Sequence, residues 1–205
     1  MYIPKHFEAP DDESVSELLA RAGASDLVTW SGREMVATTV PLLHDPASGT
    51  LIGHLARNNV QWQHTDALVI VRGPDAYVSP SSYATKREHG RTVPTWNYVT
   101  AHVYGTLIAH DDPVWTERLV RRLTDRYEAE RPAPWSVDDA PRGYIEGQLK
   151  AIVGIEIAIS RIEAKWKLSQ NRSDADIAGV RDDLRSAERG SERERAVAAA
   201  MEPRG

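Results

Sequence analysis

The sequence predicts an α+β protein built on an antiparallel β-barrel, with accessory helices and a charged, partly helical C-terminal tail. Three observations lead there. Short apolar and β-branched runs follow one another with hairpin-length connections through the first half of the chain. Two longer runs, 96–110 and 153–168, also have strand periodicity. Charged segments with helical spacing accompany them, and closing many antiparallel strands into a barrel removes sheet edges.

Asp12 or Ser14 can cap a helix at 15–22, where Leu18, Leu19 and Ala22 share one side and Gly23 stops it. Residues 27–30, the Ser31-Gly32 turn and residues 35–43 read as a hairpin, and the turn-forming run 44–49 leads into a strand at 50–56. Further strands are expected at 67–71 and 76–78, separated by Arg72-Gly73-Pro74-Asp75, and at 96–110. Between 112 and 130, Val114, Leu119, Leu123 and Tyr127 recur at helical spacing among charges, which gives an amphipathic helix covering the sheet and ending at Pro132 and Pro134. A short helix is expected at 144–152.

In the strand at 153–168, Val153, Ile155, Ile157 and Ile159 set one phase, whereas Ile162, Ala164 and Trp166 set the other. A period-two element that changes phase near Ser160-Arg161 needs a bulge or a change of buried face. This strand should therefore leave one packing environment for another. From Ser173 onward the chain is polar, with helices expected at 174–187 and 191–201 around Gly190, and it reads as a loosely attached tail. The expected division is a domain at 1–172 and a tail at 173–205.

The 205 residues include no cysteine, which excludes a disulfide framework, thiolate metal sites and cysteine nucleophiles. Acidic Asp11, Asp12 and Glu13 follow the first residues directly, so an apolar export segment is not expected. No apolar run reaches the ~20 residues that cross a bilayer, and the expected location is the cytoplasm. The histidines, His6, His44, His54, His64, His89, His102 and His110, form no helical metal pair, and a Gly-x-Ser-x-Gly elbow is absent. The net charge of -5 does not suit neutralisation of phosphates along a duplex. The arginines of 181–195 alternate with Asp182, Asp183, Glu188, Glu192 and Glu194, which reads as a solvated helix face rather than a DNA contact.

Four segments carry residue types that suit a ligand. Gly53-His54-Leu55-Ala56-Arg57-Asn58-Asn59 runs from a strand toward a helix start expected at Asn58 or Asn59, where unpaired amides and the helix dipole favour an anion and Arg57 adds a bidentate donor. The plainer alternative makes His54 a hydrogen-bonded barrel residue and Arg57 half of a surface ion pair. After residue 78, Ser79, Ser81 or Ser82 can cap a short helix and Lys86 can approach an anion, with ordinary capping as the alternative. Along 96–110, Tyr98, Thr100, His102, Tyr104 and Thr106 oppose an apolar face of Val99, Ala101, Val103, Leu107 and Ala109. That polar face suits a planar ligand or a polar subunit interface. Finally, Lys165-Trp166-Lys167-Leu168-Ser169-Gln170-Asn171-Arg172 gathers three cations, an indole and two amides at a strand end; a solvated exit loop with Trp166 packed inward is the alternative.

Together with Met1-Tyr2-Ile3-Pro4-Lys5-His6-Phe7 and Val93-Pro94-Thr95-Trp96-Asn97-Tyr98, the first and last of these segments resemble the PaiB-like FMN-binding negative transcriptional regulators, in order over roughly residues 1–180. The resemblance implies a split barrel like those of flavin reductases and pyridoxamine-phosphate oxidases, forming a homodimer with FMN between protomers. By analogy to the oxidases, it implies that Thr38, Thr39 and Val40 line the flavin ring through their backbone. Gly53, His54, Arg57 and Asn58 would surround the ribityl phosphate, and the partner would contribute Asn97, Trp166, Lys167, Gln170 and Asn171. The oxidases' basic pair stands here as Arg57 followed by Asn58, leaving Lys86 or Lys167 to replace the missing charge. Related split barrels accept haem or a deazaflavin, for which His54 or His102 would be the axial candidates.

Three functions compete at this point. The resemblance implies a flavin-binding negative regulator, although no helix-turn-helix signature supports direct DNA contact. The alternatives are an oxidoreductase using FMN, haem or a deazaflavin, and a small-molecule-binding dimer without turnover.

Overall fold

Burial alternates along the first strand of the first hairpin, with Ser25, Leu27 and Thr29 turned inward. The computed structural model, which describes residues 1–186 and 191–202, pairs β1 (Ala24–Trp30) with β2 (Met35–Pro41) in antiparallel register from Ala24↔Pro41 to Trp30↔Met35. Gly32 closes the turn at φ 87°, where a side chain would be strained. The expected strand 35–43 is divided: Pro41 ends β2, and β3 (Leu43–Asp45) opens a second hairpin with β4 (Thr50–Ala56). Three long strands follow, β5 (Asp66–Val78), β6 (Thr95–His110) and β7 (Ile152–Lys167). The neighbour order is β2-β1-β5-β6-β7-β4-β3, so β2 and β3 are the edge strands.

The chain divides into two compact units, one of 1–15, 72–101 and 163–205, the other of 16–71 and 102–162. β5, β6 and β7 each contribute residues to both. This explains two features. Ser160 and Arg161 are consecutive exposed residues in β7, and the strand passes into the first unit at Glu163, so the expected change of environment occurs where the phase slips. Likewise, Arg72-Gly73-Pro74-Asp75 is no turn. Gly73 is outside the left-handed region, β5 runs straight through the tetrad, and Pro74 forfeits one ladder donor at the point where the strand enters the first unit.

In the second unit, Leu27, Val69, Val103, Val153, Ile155 and Ile157 are fully buried and form the sheet's inner face. α1 (Asp12–Arg21) is capped at its start by Asp11, whose carboxylate accepts from the Ser14 amide at 2.6 Å; neither Asp12 nor Ser14 is the cap. α3 (Pro113–Glu128), capped by Asp112, buries Thr116, Leu119 and Leu123, with Leu119, Leu123 and Trp115 packed against Leu43 and Ile52. Val114 and Tyr127, expected on that stripe, are exposed. Val114 lies two residues before Thr116, about 200° around the helix. α4 (Arg142–Lys150) begins after Pro141, two residues earlier than expected, and buries Ile145 and Leu149 beside Val137.

In the first unit, α2 (Thr85–His89) is a single short helix, and α5 (Asp174–Arg185) and α6 (Glu192–Ala200) form the C-terminal segment. The expectation of a loose tail is corrected here: Val180, Val197 and Ala198 are fully buried. The carboxylate of Asp176, 2% exposed, accepts from the Thr85 amide and hydroxyl at 2.9–3.0 Å. The arginines of this segment pair with acids, Arg193 with Asp75 and Arg185 with Glu202, as a solvated face should. Ala187, Glu188, Arg189 and Gly190 lie outside the described residues. Among the described residues, no helix is long and apolar enough to cross a membrane.

Candidate functional site

The expected site residues fall into two groups, one in each unit. In the second unit, β4 places Gly53 opposite Ile155 and His54 opposite Gly154. Gly53 is required by space, because a Cβ there would stand 2.6 Å from Leu42 Cδ2 and 2.8 Å from the Pro41 carbonyl oxygen. The ring of His54 is partly buried, its Nδ1 is fully enclosed without a hydrogen-bond partner among the described residues, and burial pushes its pKa down.

Beyond β4 the expected anion cradle is replaced by something tighter. No α-helix starts at Asn58; a 3-10 turn, Val60–Gln63, is capped by Asn59, whose side chain accepts from the Gln61 amide at 3.1 Å. The amide that the cradle required is already used. Arg57 is engaged as well. Its guanidinium makes a bidentate pair with Asp111 at 2.9 and 2.6 Å and donates to the carbonyls of Lys150 at 2.8 Å and Ile152 at 3.2 Å. The hydrogen bond from Arg57 holds the Asp111 carboxyl below its usual range. The surface ion-pair alternative is thus the state in which Arg57 stands, while Asn58 is exposed.

Gln61, which sequence reading passed over, and Asn59, expected only as a helix start, organise this corner. Gln61, fully buried, donates to the carbonyls of Leu27 at 3.0 Å and Val36 at 3.1 Å, and Asn59 donates to the Thr38 hydroxyl at 3.0 Å. Their amides anchor β2, the strand expected to face a ring. The signal was the amide-rich run directly after Arg57. Thr39 donates to Asp26 at 2.8 Å, Val40 is buried, and β2 is an edge strand with β1 as its one neighbour among the described residues.

In the first unit, the two sides of β7 separate residues that were expected to act together. Lys165 and Lys167 both lie within 6.0 Å of the Phe7 and Tyr98 ring centroids. Lys167 donates to the Thr95 hydroxyl at 2.6 Å and to the Trp96 carbonyl, and burial, with Lys165 and Arg172 nearby, lowers its pKa. Trp166, between the two lysines, must point to the opposite face. It is buried there beside Leu168. Gln170 is tied to its own loop, accepting from the Leu168 amide and donating to the Trp166 carbonyl. Asn97, fully buried, accepts from Ser169, which is held at φ 69°. Lys86 donates to Ser81 at 2.8 Å, and Asn171 is exposed.

Burial of two neutral imidazoles makes the protein acid-sensitive. His44 and His54 have pKa values depressed below 6.5, chiefly by burial. Below about pH 6.5 the unfolded chain takes up protons that the folded chain refuses, so stability present above that pH is lost as pH falls. The depressed carboxylates Asp45, Asp111, Glu117, Asp138 and Asp176 act lower, below their ordinary values of 3.8–4.5. Thermal midpoints should therefore fall between about pH 6.5 and pH 5, and the double variant His44→Gln/His54→Gln should flatten that slope. An unchanged slope would assign it to other groups.

The family described as "Putative FMN-binding domain" matches residues 1–161. The chain is 34% identical over 194 residues to "Protease synthase and sporulation protein PAI 2" of Bacillus subtilis (strain 168), covering 92% of this chain and 91% of that one. Among solved structures it is similar to the FAD and heme binding protein from Mycobacterium smegmatis, with a TM-score of 0.58 at 20% identity over 83% of this chain and 78% of that chain. It is also similar to the flavocytochrome Anf3 from Azotobacter vinelandii, with a TM-score of 0.58 at 14% identity over 86% and 78%. At such identities the likeness concerns fold, and the expected α+β split barrel is the fold.

Proposed function

Because this chain belongs to the "Putative FMN-binding domain" family, with FMN as its cofactor, we propose that it is a cytoplasmic, FMN-binding negative regulator of the PaiB type rather than an oxidoreductase with a dedicated substrate. One observation carries the reading: the similarity to the Bacillus subtilis protein spans 92% of the chain and so extends beyond residue 161, where the flavin-domain match ends, into the C-terminal segment.

The residues of the second unit suit the cofactor. As part of an edge strand, β2 at Thr38, Thr39 and Val40 can offer backbone groups to a ring edge. Gly53 lets β4 pack directly on Leu42 and the Pro41 carbonyl at the end of β2, and the enclosed Nδ1 of His54 lacks, among the described residues, a partner that a ligand oxygen or N–H would supply. Arg57 meets the phosphate by exchanging Asp111 for it, with Asn58 beside it. Bound FMN would supply reversible electron transfer; the chain's part is to bind and orient it.

A second copy completes the site in this reading. Trp30 and Met35, cross-strand partners beside the turn of the first hairpin, are 47% and 63% exposed, an apolar edge that dimerisation would cover. Lys167 and Asn171 are the partner groups that reach the ligand, while Asn97, Trp166 and Gln170 shape their loop. DNA is contacted weakly at most, and regulation runs through a protein partner, because the chain carries a net charge of -5.

The test is purification followed by flavin titration and analytical ultracentrifugation. The expected result is one FMN per protomer on a dimer, with only salt-labile DNA binding. A monomer that neither retains nor binds flavin at micromolar concentration would overturn the reading.

A further inference from the structure

The first unit contains a cavity of 530 Å³ between the end of β7 and helices α5 and α6. Its volume lies in the range of small-molecule sites, about 300–1,000 Å³. Trp166, Leu168, Ile177 and Met201 make an apolar floor. Except for Pro10, every residue that lines it lies beyond position 161, outside the segment that matches the flavin domain.

The polar groups of the wall leave one donor unmet. Gln170 is consumed by its own loop, as described above. Glu202 is gripped by Arg185 and is only 3.5 Å from Arg181 Nη1. The Nε of Arg181 is buried and has no hydrogen-bond partner among the described residues. Buried guanidinium N–H groups are ordinarily satisfied, and none of the described residues supplies an acceptor to this one. A molecule with one acceptor group and an apolar remainder would meet both this donor and the apolar floor.

We propose that this cavity binds a small apolar monocarboxylate, its body against the Trp166 indole and its carboxylate on Arg181 Nε. The acids Asp174 and Glu202 at the wall disfavour a dianion. A phosphate ester is therefore excluded, and the site differs in chemistry from a flavin-phosphate site. The inference does not depend on the flavin reading.

Naphthoate and its neutral counterpart naphthalenemethanol are the probes, titrated calorimetrically against the full chain with and without FMN. Naphthoate should bind once per protomer. Arg181→Met should weaken it about tenfold, the loss of one charge-assisted hydrogen bond, and leave naphthalenemethanol unchanged. Ala178→Phe, which fills the cavity, should abolish both; should that variant not fold, Ala200→Leu fills the same space. Flavin affinity should not move in any of them. Absence of saturable naphthoate binding to the parent chain, or an Arg181→Met variant that binds naphthoate as the parent does, would overturn the proposal.

Discussion

Gly105→Ala destabilises the protein by about 3 kcal/mol, whereas Gly147→Ala stabilises it by about 0.5–1 kcal/mol. The same added methyl group meets opposite surroundings. At Gly105 in β6 a Cβ would stand 2.3 Å from the Ala158 carbonyl oxygen and 2.8 Å from Ile157 Cγ2. The first of these is backbone, so relief requires parting β6 from β7. That cannot be local. Ile157 and Leu107 are buried, and the Ser160 hydroxyl donates to the Tyr104 carbonyl at 3.1 Å beside the contact. The close approach belongs to the same stretch in which β7 changes phase, so glycine there is what lets the two strands stay together. Gly147 lies exposed within α4 with nothing within 4 Å of an added Cβ. Only its helix propensity changes. Urea denaturation midpoints measure both, and a Gly105→Ala variant within about 0.5 kcal/mol of the parent would mean that β6 and β7 yield more easily than their packing implies.

The strands were legible where periodicity was strong. Residues 96–110 and 152–167 alternate over more than a dozen positions, and even the slip at Ser160-Arg161 could be read, because a period of two leaves no other account of it. β5 was not legible in the same way. Gly73-Pro74-Asp75 has the composition of a turn, and pairing with neighbours far away in sequence overrides that local preference. The C-terminal helices failed for a different reason. Ile177, Val180 and Leu184 do recur at helical spacing, but one narrow apolar stripe among so many charges reads as a solvated helix unless its partner surface is known.

The site was read less well than the fold. Its segments were found, yet Trp166 and Lys167 were assigned to one ring although consecutive strand residues point to opposite faces. The alternation that located the phase slip, continued four residues further, would have separated them. Arg57 was recognised as a donor, but its acceptor, Asp111, is 54 residues away, and no local pattern announces such a pair.

Asp111→Asn is expected to raise FMN affinity, and Arg57→Ala to lower it by about tenfold or more, with riboflavin affinity moved by neither. The argument starts from the donors of one guanidinium. Nε serves Lys150, Nη2 serves Asp111 and Ile152, and Nη1 serves Asp111, which leaves a single Nη1 hydrogen for any ligand. A phosphate must therefore take the place of Asp111. The pair is solvent-exposed, its side chains 39% and 57% accessible, and exposed ion pairs are weak. A phosphomonoester brings about 1.5–2 negative charges and three strong acceptors, so it can outcompete a lone carboxylate. Asparagine at 111 keeps the shape while removing the competing charge, and riboflavin, which lacks the phosphate, reports any effect that is merely structural. That control is needed because Arg57 also ties the end of β4 to the junction of α4 and β7 through the Lys150 and Ile152 carbonyls, so Arg57→Ala can loosen the fold as well. Fluorescence titration with the two flavins separates the cases. If Arg57→Ala weakens FMN and riboflavin equally and Asp111→Asn changes neither, Arg57 is a strut between β4 and β7, and the phosphate is held elsewhere.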